Sequence, residues 1–197
     1  MAQWERVAHF YNQISGLYPL INLGLAPYKK YLKHELDMLP DGLLLDIGTG
    51  HGAVFGLDLR HSITGIDLSE AMLAKARKNY PNANLIHYAS HTLPFENDIY
   101  HYVVMAHVIS HLSHQKQGVN EALRVLKPGG SLFILNHFSQ AGVLGWPSKA
   151  FSFISGFLKF SSHLKVEDIT TIHANIKTEI MPADKLGNYK IIRLTKP

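Results

Sequence analysis

Short apolar runs alternate along this chain with longer stretches of helical periodicity. LLLDI (Leu43–Ile47) is apolar except for one acid and ends at a glycine loop, the pattern of a strand buried on both faces. SITGID, NLIHYA, YHYVVMAHVI, SLFILNHF and YKIIRLT read as five further strands. Between them lie helical stretches. Residues 2–16 and 27–39 fit a helix, with Pro19 and Pro27 breaking the pattern between them. Residues 53–59 have room for a short one. Ser69 caps another, with Glu70 in its first turn and Lys75, Arg77 and Lys78 near its end. Residues 115–126 form a helix that KPGG stops, and 147–160 hold one more. This alternation predicts an α/β fold, a doubly wound and mostly parallel sheet with helices on both faces. In such sheets the ligand lies beyond the carboxyl ends of the strands, at the switch point.

Composition narrows the classes. Hydrophobic residues are 46% of the 197 and charged residues 17%, which excludes a disordered chain. A chain of this length fits one domain. There is no cysteine, so disulfides, thiolate metal sites and cysteine nucleophiles are excluded. MAQWERVAHF lacks a basic region followed by an apolar core, and no stretch of about eighteen apolar residues occurs. Neither a signal peptide nor a membrane span is expected, and the expected location is cytoplasmic. The net charge of +4 comes from residues 137–197, with eight Lys/Arg against four acids. That excess is too small to predict a nucleic-acid partner.

The glycine stretch carries the chemistry. In DIGTGHG the spacing is Asp-x-Gly-x-Gly-x-Gly: Asp46, Gly48, Gly50, Gly52. Glycines let a ligand touch the backbone. A dinucleotide loop has a different spacing, G-x-G-x-x-G. Asp46 at the entrance repels a phosphate and attracts an ammonium group. Asp67 closes the second strand, where an acid can accept from both hydroxyls of a ribose.

DIGTGHG, GIDLSEAML, TLPF and EALRVLKPGG, in this order, resemble the successive motifs of class I S-adenosylmethionine-dependent methyltransferases. One glycine loop is weak evidence; four motifs in sequence over residues 43–136 are specific. The resemblance implies a Rossmann-like methyltransferase fold with a seven-stranded sheet. It divides the single domain into an N-terminal helical lid (1–40), a cofactor-binding core (41–136) and a substrate-side part (137–197). The implied cofactor is S-adenosyl-L-methionine, with S-adenosyl-L-homocysteine as product. Asp46, Gly48, Gly50 and Gly52 would line its methionine part and Asp67 its ribose. Leu68 and Met72 would flank the adenine, though Met72 also suits a helix facing the core. Ala106 would close the site from the fourth strand. Where the family usually has an acid for the adenine amino group, this chain has Ala89 and Ser90, leaving Ser90, His91 or a backbone group to serve.

The acceptor is read less directly. An amine must lose its proton before attack, and histidine suits that task. The fourth strand ends in VVMAHVISHL, not in Asn/Asp-Pro-Pro-Tyr, which speaks against base or amide substrates. His107, His111 and His114 fall at i, i+4 and i+7, open to metal ligation or to helix packing. A similar run in the family favours packing, and no metal is expected. NHFS, with Asn136 and His137 at the crevice, resembles the small bacterial phosphatidylethanolamine N-methyltransferases, as does VAHFYNQISGLY. The latter also resembles the quinone C-methyltransferases. His137 could be a base, a phosphate ligand or a strand-end histidine bound to backbone. Tyr11 and Tyr18 are candidates for a substrate gate or for core packing. In WPSKAFSFISGFLKF, apolar residues recur at helical spacing among lysines, which suits a membrane interface or a lid. The expected enzyme is a phospholipid N-methyltransferase in reversible contact with the inner membrane surface. A quinone or small-molecule methyltransferase, and a non-catalytic module that binds the cofactor, are the alternatives.

Overall fold

The computed structural model describes residues 3–16, 18–90, 92–112, 114–138, 164–172, 176–184 and 189–197, with side chains from residue 5 to 16 and from 28 onward within those ranges. The expected helix near 147–160 lies outside the described residues, as do His91 and the side chain of Tyr18.

Seven strands form one sheet: β1 (Leu43–Ile47), β2 (Ser62–Asp67), β3 (Asn84–His87), β4 (Tyr100–Ala106), β5 (Leu126–His137), β6 (Lys177–Pro182) and β7 (Tyr189–Thr195). Their order is β3-β2-β1-β4-β5-β7-β6. The first five pair in parallel, and β7 runs antiparallel to both β5 and β6. The expected doubly wound, mostly parallel, seven-stranded sheet is therefore present. Strand order reverses between β1 and β4, so the crevice opens at their carboxyl ends.

β1 shows why its sequence is apolar. Leu45 packs with Val103, Met105, Leu132 and the Val119 and Leu123 side chains of α4 (Gln115–Val125). Leu44 faces the other way, onto Val104, Phe133 and the Leu32 and Leu36 side chains of α2 (Tyr18–Asp37). Each such leucine contributes about 1.5–3 kcal/mol by leaving water.

Three elements differ from the pattern. α2 begins at Tyr18 and continues through Pro27. Pro19 stands in the first turn, where its missing N–H costs nothing; Pro27 removes one intrahelical bond. The burial of Leu32 and Leu36 offsets that loss. Residues 53–59 form no α-helix, only a 3-10 turn at Phe55–Leu57, ended by Asp58 in a left-handed conformation (φ 52°). KPGG does not merely stop α4. β5 starts at Leu126, and Tyr100 faces Leu126 while Tyr102 already faces Ser131, so KPGG bulges out of the strand.

α3 (Glu70–Asn79) begins at the expected cap, with Ser69 Oγ accepting from the Met72 N–H at 3.2 Å. The same hydroxyl donates to Asn12 Oδ1 at 2.6 Å, and the Lys75 ammonium donates to the Ser15 carbonyl. These bonds tie α1 (Gln3–Ile14) onto α3 beside the crevice. A short helix α5 (Glu167–Thr170) packs near α4.

Candidate active site

The cleft lies at the switch point and has a cavity volume of about 150 Å³. Its floor is the end of β1 and the glycine loop, where the Gly48 and Thr49 N–H groups donate to the Ile66 carbonyl at 2.8 and 3.1 Å. Asp67 fixes this loop. Its Oδ2 accepts from the Gly50 N–H at 2.8 Å and its Oδ1 from the Ser69 N–H at 2.8 Å. Burial raises the Asp67 pKa, and these backbone donors oppose the shift.

Another part of the cleft is mostly apolar. Leu68, Met72, Tyr88 and Leu93 line it with Ala89 and Ser90. The TLPF loop is held there by α4. Glu121 Oε2 accepts from the Leu93 N–H at 2.8 Å, and Arg124 donates to the Leu93 and Phe95 carbonyls at 3.1 and 2.8 Å. The two motifs thus occur together because one carries the ion pair that positions the other.

Gly48, Gly50, Asp67, Leu68, Met72, Ala89, Ser90, Ala106 and Tyr11 all reach the cleft. Gly52 does not line it. Its φ is +89°, and a Cβ there would stand 2.7 Å from the Tyr80 ring, so packing against α3 requires this glycine. Asp46 lies beneath the cleft at 1% exposure. Its Oδ2 is buried without a hydrogen-bond partner. Desolvation pushes its pKa up to about 7, against the opposing effects of Thr49 and Lys29. An inaccessible carboxylate oxygen with nothing to accept from is an incomplete site.

The histidines do not share a helix face. His107 follows β4 with φ 61°, held by its N–H on the Leu135 carbonyl at 2.8 Å. His111 sits in the 3-10 turn Ile109–His111, and His114 is an exposed residue at the start of α4. Burial lowers the His107 pKa to about 3 and that of His111 to about 4, so both imidazoles are neutral. No group of three or more metal-ligating side chains occurs among the described residues.

Tyr11 closes the cleft from α1. Its hydroxyl and His111 Nε2 are 2.9 Å apart, with the rings edge to face at 5.5 Å. Tyr11→Phe removes one hydrogen bond worth about 1 kcal/mol. The expected result is a roughly fivefold faster cofactor dissociation by stopped flow; an unchanged rate would show that α1 is no latch.

Beside the cleft lies a second cluster that the sequence pattern did not single out. Tyr189, at the start of β7, stands edge-on to His107 at 5.7 Å and to His137 at 5.3 Å. Tyr28 stacks on Tyr189 with centroids 3.6 Å apart. Asp184, after β6, acts electrostatically on Tyr28, His137 and Tyr189, and its Oδ1 is buried without a hydrogen-bond partner. Burial lowers the His137 pKa despite Asp184. That shift favours the neutral imidazole, the form that can accept a proton. Tyr28 could have been found from its helical spacing to Leu32; Asp184 left no local signal.

Residues 45–134 match the family model described as a methyltransferase domain. The chain is 29% identical over 141 residues to a demethylmenaquinone methyltransferase of Chlorobaculum tepidum, covering 66% of this chain and 58% of that protein. It is 28% identical over 163 residues to a phosphatidylethanolamine N-methyltransferase of Cereibacter sphaeroides, covering 79% and 80%. Its fold matches that of an S-adenosylmethionine-dependent methyltransferase of Thermotoga maritima, with a TM-score of 0.73 at 20% identity over 96% of this chain and 99% of that one. With the motifs in order, the sheet in this strand order and the glycine cleft at its switch point, residues 45–134 carry a methyltransferase domain, and the chain is similar in sequence and fold to S-adenosylmethionine-dependent methyltransferases.

Proposed function

We propose that this chain transfers the methyl group of S-adenosylmethionine to the amine of a phospholipid such as phosphatidylethanolamine at a membrane surface. The cofactor supplies an electrophilic methyl on a sulfonium. The chain's residues suit its parts: Asp46 the ammonium, Gly48 and Gly50 the backbone approach, Asp67 the ribose, and Leu68, Met72 and Tyr88 a flat apolar base. Ser90, in the lining of the cleft, is the candidate for the adenine amino group.

The observation that carries the amine reading is the cluster of Asp184, His137, His107 and Tyr189 beside the cleft. A carboxylate with an unpartnered oxygen draws an ammonium ion, and a neutral imidazole can take its proton. Attack by the freed lone pair then needs alignment and exclusion of water, which Tyr11 and α1 would supply. Similarity to the demethylmenaquinone methyltransferase supports the other reading, a quinone acceptor. Among the described residues no helix is long and apolar enough to cross a membrane, so access to a lipid would be from the surface.

The test is methyl transfer from labelled S-adenosylmethionine into vesicles of phosphatidylethanolamine and phosphatidylglycerol, with and without demethylmenaquinone. Label is expected in the amine lipid, falling as salt rises because the attraction to an anionic surface is screened. Asp184→Asn is expected to cut this transfer about tenfold through loss of a charge-assisted contact, with cofactor affinity unchanged. Label confined to the quinone would establish the alternative.

A further inference from the structure

β6 is one edge of the sheet, and among the described residues no strand pairs with its outer side. The ladder with β7 sets which of its backbone groups are used. The Ala183 N–H donates to the Tyr189 carbonyl at 2.8 Å, and the register runs without a shift back to Lys177 opposite Thr195. In an antiparallel ladder such bonded pairs alternate with pairs whose backbone groups point away. Lys177, Glu179 and Met181 therefore turn their backbone groups toward β7, and Thr178 and Ile180 turn theirs outward. Ile176, just before the strand, continues the outward series, and its carbonyl accepts from the Thr178 hydroxyl at 3.2 Å. That oxygen keeps a second lone pair. Side chains alternate as well. Lys177 and Glu179 share one face, 3.1 Å apart, with side chains 70% and 39% exposed. Ile176 and Ile180 share the other face, and Ile180 is 50% exposed.

We propose that β6 pairs antiparallel with β6 of a second copy of this chain, about a two-fold axis at Thr178. Thr178 exchanges hydrogen bonds with its own copy, and Ile176 does so with Ile180 of the other chain. Charge selects this register. It sets Lys177 opposite Glu179 of the other copy, and symmetry repeats the pair. These are the pairs without hydrogen bonds, whose side chains lie closest. Sliding one copy by two residues keeps the outward groups facing one another. It then sets Glu179 against Glu179, or Lys177 against Lys177, and like charges directly opposite destabilise. On the other face, Ile176 of one copy covers the exposed Ile180 of its partner, which removes apolar surface from water. A lysine and a proline on an edge discourage arbitrary strands. Here the lysine meets an acid, and Pro182 lies beyond the paired residues, where its missing N–H is not needed. β6 runs parallel to β5, so the axis leaves both crevices open, at opposite edges of the doubled sheet.

Sedimentation equilibrium of the full chain over a range of concentrations tests this. Wild type is expected to pass reversibly from monomer to dimer and no further, because a two-fold pairing closes on itself. Thr178→Pro removes an N–H that faces outward and none that bonds β7. It should keep the fold, read by thermal melts, and raise the dimer Kd about tenfold, with a hydrogen bond lost from each copy. Lys177→Glu sets like charges opposite one another and should also weaken the dimer, whereas Lys177→Arg should not. The chain has no cysteine, so single cysteines report the register. Thr178→Cys meets its own copy with Cα atoms about 5.5 Å apart, within disulfide reach, and should cross-link on mild oxidation. Ile180→Cys stands about 13 Å or more from its copy and should not. A wild type that stays monomeric at every concentration overturns the proposal. So does a dimer left intact by folded Thr178→Pro and Lys177→Glu, or one in which Ile180→Cys cross-links and Thr178→Cys does not. If Thr178→Pro fails to fold, Lys177→Glu and the two cysteine variants decide.

Discussion

Gly48→Val is expected to eliminate measurable S-adenosylmethionine binding while the sheet remains folded. Two effects act at this position. The φ of Gly48 is +70°, a left-handed conformation that costs an L-residue about 1–2 kcal/mol. A Cβ would also stand 2.2 Å from Val108 Cγ2, too close for any packing to absorb. Val108 lines the cleft, so whichever group yields, the cleft changes shape. Overpacking costs about 1–3 kcal/mol of stability, and the affinity is lost through the change in cleft shape rather than through that cost. Gly50 separates them. Its φ is +57°, but its nearest contact would be Met72 Cε at 3.4 Å, which is ordinary packing. Gly50→Ala should therefore lower thermal stability modestly, and any greater loss of affinity reports a ligand lying against that backbone. In a Val108→Ala background, Gly48→Ala should recover the clash portion and leave the backbone portion. Calorimetry alongside thermal melts reads both quantities. A Gly48→Val protein with normal affinity would exclude this loop as the cofactor floor.

The sequence revealed most where a residue's reason is local. Leu43–Ile47 and Ser62–Asp67 are strands because helices cover both faces of the sheet, and that burial writes an apolar run. β6 was not picked out: it is an edge strand with Ile180 half exposed, so neither continuous burial nor strict alternation marks it. Residues 53–59 mislead in the other direction. Their composition permits a helix, but a Cβ at Gly56 would stand 2.5 Å from the Tyr80 hydroxyl, and Asp58 turns left-handed. The site divides along the same line. Gly48, Gly50 and Asp67 announce themselves by spacing within one loop and the strand after it. Gly52 shares that spacing, yet its neighbour is Tyr80. Tyr28, Asp184 and Tyr189 come from opposite ends of the chain and meet only because β7 inserts between β5 and β6. Nothing local marks them, apart from the helical spacing of Tyr28 to Leu32.

Acidification is expected to weaken cofactor binding through Asp46. Burial holds this carboxyl at a pKa of about 7 in the folded chain, well above the ordinary value of 3.8. The neutral acid is thus the form that the empty site favours. Its contribution to stability is fully present below the unfolded value and is lost as pH rises through about 7. Ammonium binding favours the ionised form instead. At pH 5, two units below its pKa, roughly 1% of Asp46 is ionised, so the Kd of S-adenosylmethionine should rise about a hundredfold from its value above pH 7. His51 and His107, lowered to about 4 and about 3, stay neutral in the folded chain across this window; their protonation in the unfolded chain lowers stability on acidification and opposes the contribution of Asp46. Asp67 is also raised, and 5′-methylthioadenosine isolates its part, because that ligand keeps the ribose and lacks the ammonium. Asp46→Asn should bind S-adenosylmethionine weakly at every pH, with a slope no steeper than the methylthioadenosine slope of wild type. The measurement is calorimetry at pH 5, 6, 7 and 8 with both ligands, beside melts of the ligand-free protein. Equal slopes for the two ligands in wild type would remove Asp46 from the ammonium and leave the acid response to Asp67.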